Sequence, residues 1–101
     1  MILLQRQATV ASAAKFAEAL AFSDQVTKHL RAKFPEKEIT QWLQVGGVFA
    51  TVHWTVKYND MADFEATMGA AMLDLEYQTM VAQASDCWLP GTVTDTLMSS
   101  L

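Results

Sequence analysis

Residues 46–60 read GGVFATVHWTVKYND, and the way this stretch pairs decides the fold. From Val48 to Tyr58 it is rich in β-branched and aromatic residues, which suit a strand. Just before it, ITQWLQV (39–45) alternates Ile39, Gln41, Leu43 and Val45 against Thr40, Trp42 and Gln44, a period of two. Gly46 and Gly47 tolerate positive φ, so they predict a two-residue hairpin turn between the arms. On that register Val45 faces Val48, Leu43 faces Ala50, Gln41 faces Val52 and Ile39 faces Trp54. One side of the hairpin is then almost wholly apolar: Ile39, Leu43, Val45, Val48, Ala50, Val52, Trp54 and Val56 with Gln41. It is expected beneath a helical layer. The opposite side is mixed: Thr40, Trp42, Gln44, Phe49, Thr51, His53, Thr55 and Lys57. A one-residue slip would exchange the two faces.

Working outward, MILLQRQATV (1–10) predicts a strand. Ser12 offers an N-cap to an Ala-rich helix over about 12–33, stopped by Pro35. His29 falls near its C-terminus, where a cation opposes the helix dipole. Asn59 or Asp60 can cap a second helix, with Phe64, Met68, Met72 and Leu75 as its apolar stripe. From Leu73 a different stripe begins, with Tyr77, Met80 and Ala84. The two stripes lie on roughly opposite faces of a straight helix, so either the helix breaks near 74–77 or both faces are covered. After Pro90-Gly91, TVTDTLM (92–98) predicts a last strand. The order is β-α-β-β-α-β, an α+β ferredoxin-like pattern of one four-stranded antiparallel sheet with two helices on one face. Its 101 residues fit a single domain, 1–101.

Composition limits the function classes. Net charge is −4, which disfavours nucleic acid as a partner. No run approaches the ~20 apolar residues of a membrane span. Met1–Leu4 is too short for a signal-peptide core, and Cys87, the one cysteine, can make no internal disulfide. A cytoplasmic location is expected. Charged residues are 18% of the chain, below the typical ~25%, so part of the surface is a candidate for burial in an oligomer. All seven Lys and Arg lie in residues 1–57, whereas residues 58–101 hold seven acids and no Lys or Arg. Either the two halves pack on each other or subunits meet through matched charge.

No nucleotide-binding, nucleophile-elbow or zinc motif is present, and neither a cofactor nor a metal is expected. The mixed hairpin face, with Trp42, Phe49, Thr51 and His53, suits a sheet packed on a second subunit. It could instead line a wet cavity in which His53 is the best acid–base candidate, since its ordinary pKa is ~6.5. Trp54, Tyr77 and Trp88 either fill the core or line a small-molecule pocket between sheet and helices. Cys87 reads as a buried, inert thiol, and the six methionines as core filler or adaptable pocket wall.

The strand MILLQRQATV, the run HWTVKYNDMADFEA from an aromatic strand into a capped helix bearing Phe64, and the closing LPGTVTDTL together resemble the dimeric α/β-barrel superfamily. Within it the chain looks most like small NIPSNAP-like and antibiotic-biosynthesis-monooxygenase-like proteins. The resemblance implies a homodimer with two sheets face to face, and ligands between sheet and helices. Members include cofactor-independent oxygenases, haem-degrading oxygenases, isomerases and proteins without known activity. Haem-degrading members use a histidine on the second helix, and residues 61–85 contain none. Cofactor-independent oxygenases often use Trp, Asn or Tyr in the pocket, parts that Trp54 and Tyr77 would take here. Two readings follow. One is a homodimeric protein that binds a small apolar or aromatic compound, monooxygenase-like or isomerase-like if it is an enzyme. The other is a non-catalytic dimerisation module of the same fold.

Overall fold

The aliphatic N-terminal run forms strand β1, Ile2–Thr9, in a computed structural model that describes all 101 residues. A 3₁₀ turn, Ala13–Lys15, leads into helix α1, Phe16–Lys33. Ser12 is extended but its hydroxyl makes no capping bond, so the expected cap is replaced by this tighter turn, closed by Lys15 N–H donating to the Ser12 carbonyl at 3.0 Å. Strands β2, Glu38–Leu43, and β3, Thr51–Tyr58, follow. Helix α2, Met61–Met72, is capped by Asp60, whose side chain accepts from the Asp63 N–H. Helix α3, Leu75–Gln83, a 3₁₀ turn at Ser85–Cys87 and strand β4, Thr94–Ser99, complete the chain. The sheet order is β2-β3-β1-β4, with every neighbour antiparallel. This is the expected α+β ferredoxin-like architecture.

The hairpin differs from the expected one in an instructive way. Gly46-Gly47 is not a two-residue turn. The connection runs from residue 44 to residue 50, and pairing stops at Leu43 opposite Val52. Gly47 and Ala50 both take positive φ, at 84° and 59°. Ile39 faces Val56 and Gln41 faces Trp54, a slip of two residues from the expected register. Because side chains alternate with a period of two, an even slip leaves each residue on its expected face. The exceptions lie in the connection: Val45 and Val48, expected beneath the helices, are exposed there, and Phe49 also leaves its expected face. The Phe49 ring stacks on Phe16 at 6.3 Å instead of joining the open face of the strand.

The helices cover the face that carries Ile2, Leu4, Ala8, Ile39, Val52 and Tyr58, all buried. The core divides in two. One cluster holds Val10, Ala19, Ala50, Ala84 and Cys87, with Phe16, Phe22 and Trp88 against it. The other holds Ile2, Leu4 and Tyr58, with Val56 and Phe64.

The helical layer breaks at Leu73–Asp74, the first of the two alternatives that the stripes left open. Met72 and Leu75 consequently leave the apolar stripe and are exposed, while Ala71 and Ala84 are buried. Asp74 is the joint. Its buried carboxylate accepts from the Glu76 and Tyr77 backbone N–H groups at 3.1 and 3.2 Å, capping α3. It also meets His29 Nε2 at 2.6 Å and Lys33 Nζ at 3.2 Å, both on α1. So His29 does more than oppose a dipole: it ties α1 to the start of α3.

These partners, the His29 hydrogen bond foremost, hold the Asp74 carboxyl well below the usual carboxylate range. A lowered folded-state pKa adds stability that is complete above the unfolded value of ~4 and is lost as pH falls toward the folded value. Asp74→Ala is therefore expected to melt at a clearly lower temperature than the parent at pH 7, through loss of the cap and the ion pairs. The gap should narrow as pH is lowered through 4 to 2. Melting curves of both proteins across that range provide the check, and a gap independent of pH would contradict the assignment.

Candidate functional site

Between the sheet and the helices lies a cavity of about 190 Å³. Its floor is Leu4, Arg6 and Ala8 of β1, Ile39 of β2, and Trp54, Val56 and Tyr58 of β3. Alternation places these residues on one side of three adjacent strands. Helix α1 adds Phe22, Val26, Thr27 and Leu30; α2 adds Thr67, Met68 and Ala71; α3 adds Tyr77 and Val81. Trp88 and Val93 come from the segment before β4. The walls draw on both core clusters, so the void is the gap that separates them.

Trp54, Tyr77 and Trp88 all line this cavity. Trp54 and Trp88 meet edge to face at 5.4 Å, and Phe22 meets Trp88 at 5.9 Å. The Trp54 indole N–H donates to Ser23 Oγ at 3.0 Å, and Ser23 donates on to Gln41 Oε1 at 2.6 Å. That chain fixes the indole plane and uses its only donor.

Two basic side chains line the cavity that sequence reasoning did not single out. Arg6 donates to Asp95 through Nε and Nη2 at 2.7 and 2.8 Å, a bidentate pair across the β1–β4 ladder. Its Nη1 donates to the Tyr77 hydroxyl oxygen at 3.2 Å. The Asp95 hydrogen bond raises the Arg6 pKa further, and Arg6 holds Asp95 below the usual carboxylate range. Lys37, its side chain only 7% exposed, donates to both Asp63 oxygens at 2.5 and 2.6 Å and lies 5.6 Å from the Tyr58 ring centre. Burial pushes the Tyr58 hydroxyl up to about 12, so it stays protonated at neutral pH. A lone Arg in a strand and a lone Lys after a helix match no motif; the β1–β4 register reveals Arg6, and the long-range pairing with Asp63 reveals Lys37. Thr27 on the α1 wall is fully buried, and its hydroxyl is the one buried side-chain polar atom with no hydrogen-bond partner.

His53 is not in this site. It lies on the opposite face of the sheet from Trp54, and both ring nitrogens are engaged. Gln5 Nε2 lies 3.1 Å from Nδ1 and Gln44 Oε1 lies 2.7 Å from Nε2. The Gln5 amide nitrogen donates to Nδ1, and Gln44 Oε1 accepts from Nε2. Other side chains of that face also bond to one another. Trp42 Nε1 donates to Thr55 Oγ1 at 2.8 Å, and the hydroxyls of Thr9 and Thr51 lie 3.0 Å apart. Thr51 is buried, whereas Trp42 remains 55% exposed.

Cys87 is buried, with its thiol 3.3 Å from Glu18 Oε2, and burial pushes its pKa up to about 11. Glu18, Asp86 and Cys87 bring potential ligand atoms within 4.8 Å of one another. The Lys15 ammonium already contacts both carboxylates, at 3.2 and 2.8 Å, and supplies the positive charge there.

No protein-family model matches the chain, and no curated protein matches it by sequence. Solved structures do match. An uncharacterized NIPSNAP domain protein from Burkholderia xenovorans superposes with a TM-score of 0.81 at 16% identity, covering 100% of this chain and 95% of the other. A NIPSNAP family protein from Agrobacterium tumefaciens gives 0.77 at 13%, covering 100% and 94%. A protein described as an antibiotic biosynthesis monooxygenase gives 0.76 at 11%, covering 100% and 99%. At these identities the likeness establishes a shared fold: the chain has the ferredoxin-like architecture of the NIPSNAP-domain and antibiotic-biosynthesis-monooxygenase proteins.

Proposed function

We propose that this chain binds a small apolar or aromatic compound in the sheet–helix cavity, as a homodimer formed through the open face of the sheet. The observation that carries the reading is the cavity itself. About 190 Å³ lies among 20 residues, of which 16 are hydrophobic, in a chain this short. Well-packed interiors contain few voids larger than a water molecule, and a ~150 Å³ apolar cavity is enough to bind benzene. The unpaired Thr27 hydroxyl fits a wall shaped for something other than maximal stability.

For the dimer, the supporting features are a half-exposed Trp42 and a β4 exposed along its whole length, with Met98, opposite Leu3, on the open face. Part of the open face is already paired internally, Gln5 with His53 and Trp42 with Thr55, so covering those groups strands none of them. No helix is long and apolar enough to cross a membrane.

Binding, rather than acid–base chemistry, is the basic activity of this reading. The two cations at the cavity are held by carboxylates, Tyr58 keeps its proton, and His53 lies across the sheet. One structural neighbour is described as an antibiotic biosynthesis monooxygenase, and cofactor-free conversion of the bound compound is the natural extension. The engaged nitrogens of His53 favour the alternative, a non-catalytic dimerisation module, only if the cavity takes no ligand.

Titration with ethylbenzene should give a saturable change in tryptophan fluorescence. Trp42→Phe should keep that response and Trp54→Phe should lose much of it. A response that instead depends on Trp42 would place the ligand on the wrong face. Light scattering at micromolar concentration should return twice the chain mass, and a monomer would remove the dimer. Thr27→Val tests the wall directly: deleting an unsatisfied buried hydroxyl should raise stability by about 1 kcal/mol, seen as a melting point several degrees higher. A lower melting point would mean that the hydroxyl has a partner.

A further inference from the structure

We infer that the cavity selects an uncharged, single-ring compound carrying one oxygen that accepts a hydrogen bond, with Tyr77 as the donor to that oxygen. The inference rests on the cavity being the ligand site, and it goes further by naming what the site recognises.

Charge comes first. Arg6 is held by both oxygens of Asp95 and Lys37 by both oxygens of Asp63. Each cation at the cavity is therefore neutralised within the protein. A carboxylate ligand would enter apolar walls with no free cation to meet it, and would sit near Asp95. A cationic ligand would find both carboxylates already occupied. Burying a charge without a partner is strongly unfavourable, so the cavity favours a neutral molecule.

Direction of donation comes next. Arg6 Nη1 donates to the Tyr77 oxygen at 3.2 Å, so that oxygen acts as an acceptor and its own proton is left to donate. A hydroxyl that accepts from a guanidinium is polarised, which strengthens it as a donor. The Trp54 indole N–H is spent on Ser23. The site thus offers a directed proton where Tyr77 meets Arg6, and aromatic surface from Trp54 and Trp88 for the remainder of the ligand.

Size comes last. A volume of about 190 Å³ exceeds the ~150 Å³ that holds benzene by room for only a few more heavy atoms. A substituted single ring fits that space.

The test uses three probes of nearly one shape: ethylbenzene, acetophenone and benzoate. Affinities are measured by calorimetry or ligand-observed NMR for the parent protein and for Tyr77→Phe. In the parent, benzoate should bind at least about tenfold more weakly than acetophenone, because of its unpaired charge. Tyr77→Phe should shift the acetophenone-to-ethylbenzene affinity ratio toward ethylbenzene by about threefold to tenfold, the value of one neutral hydrogen bond. An unchanged ratio in Tyr77→Phe overturns the donor assignment, and benzoate binding as tightly as acetophenone overturns the neutrality. In either case ethylbenzene would still bind and the cavity reading would stand. If none of the three binds the parent, the inference and the cavity reading fail together.

Discussion

The helix-facing side of β1 and β3 is the constraint from which the rest follows. Its alternating residues, Leu4 and Ala8 on one strand and Val52, Trp54, Val56 and Tyr58 on the other, cannot be left to water. Three short helices cover it. They do so at two places, around Val10 and Cys87 and around Ile2 and Tyr58, and leave the middle open. Large Trp54 and Tyr58 and small Ala8 and Ala71 share one set of walls without filling the space between them. The cavity floor is thus built into the sheet's own sequence, and the connecting segments add Lys37, Trp88 and Val93 to its walls.

The helical layer is fastened by charge that crosses the chain. Arg6 pairs with Asp95, Lys15 with Asp86, Lys37 with Asp63, and His29 and Lys33 with Asp74. Each of these joins the basic first half to the acidic second half. Most are partly exposed, and such pairs add little stability singly. Their value is positional, because they set where α2, α3 and β4 sit against β1 and α1. The separation of charge along the sequence is resolved within one subunit, and of the two readings open at the outset, packing of the halves accounts for it. Two of the pairs also border the cavity and set its neutrality.

Much of this was legible from the residues alone. Period-two alternation assigned the faces of the paired residues 39–43 and 52–56, and the assignment survived a wrong turn because the register slipped by an even number, whereas Val45 and Val48 were lost to the connection. The switch of apolar stripe at Leu73 narrowed the helix to two alternatives, and the structure takes the break, which Asp74 caps. The true connection was hidden because a Gly-Gly pair is compatible with both a tight turn and a seven-residue loop, and Ala50 at positive φ carries no sequence signal. Phe49 went astray for that reason. Trp54, Tyr77 and Trp88 were nameable as aromatics with polar handles, whereas Arg6 and Lys37 were not, since their position depends on long-range pairing. His53 drew attention as a rare titratable residue, yet two glutamines explain it as part of a bonded sheet face.

The central claim is that the gap between the two core clusters is a real, ligand-sized space rather than a packing flaw that closes. A crystal structure determined under xenon pressure addresses it most directly, because xenon enters apolar cavities without needing a specific contact. The account predicts an ordered xenon atom enclosed by Trp54, Met68, Tyr77 and Val81. A crystal in which those side chains meet across the gap, with no xenon between sheet and helices, would contradict it.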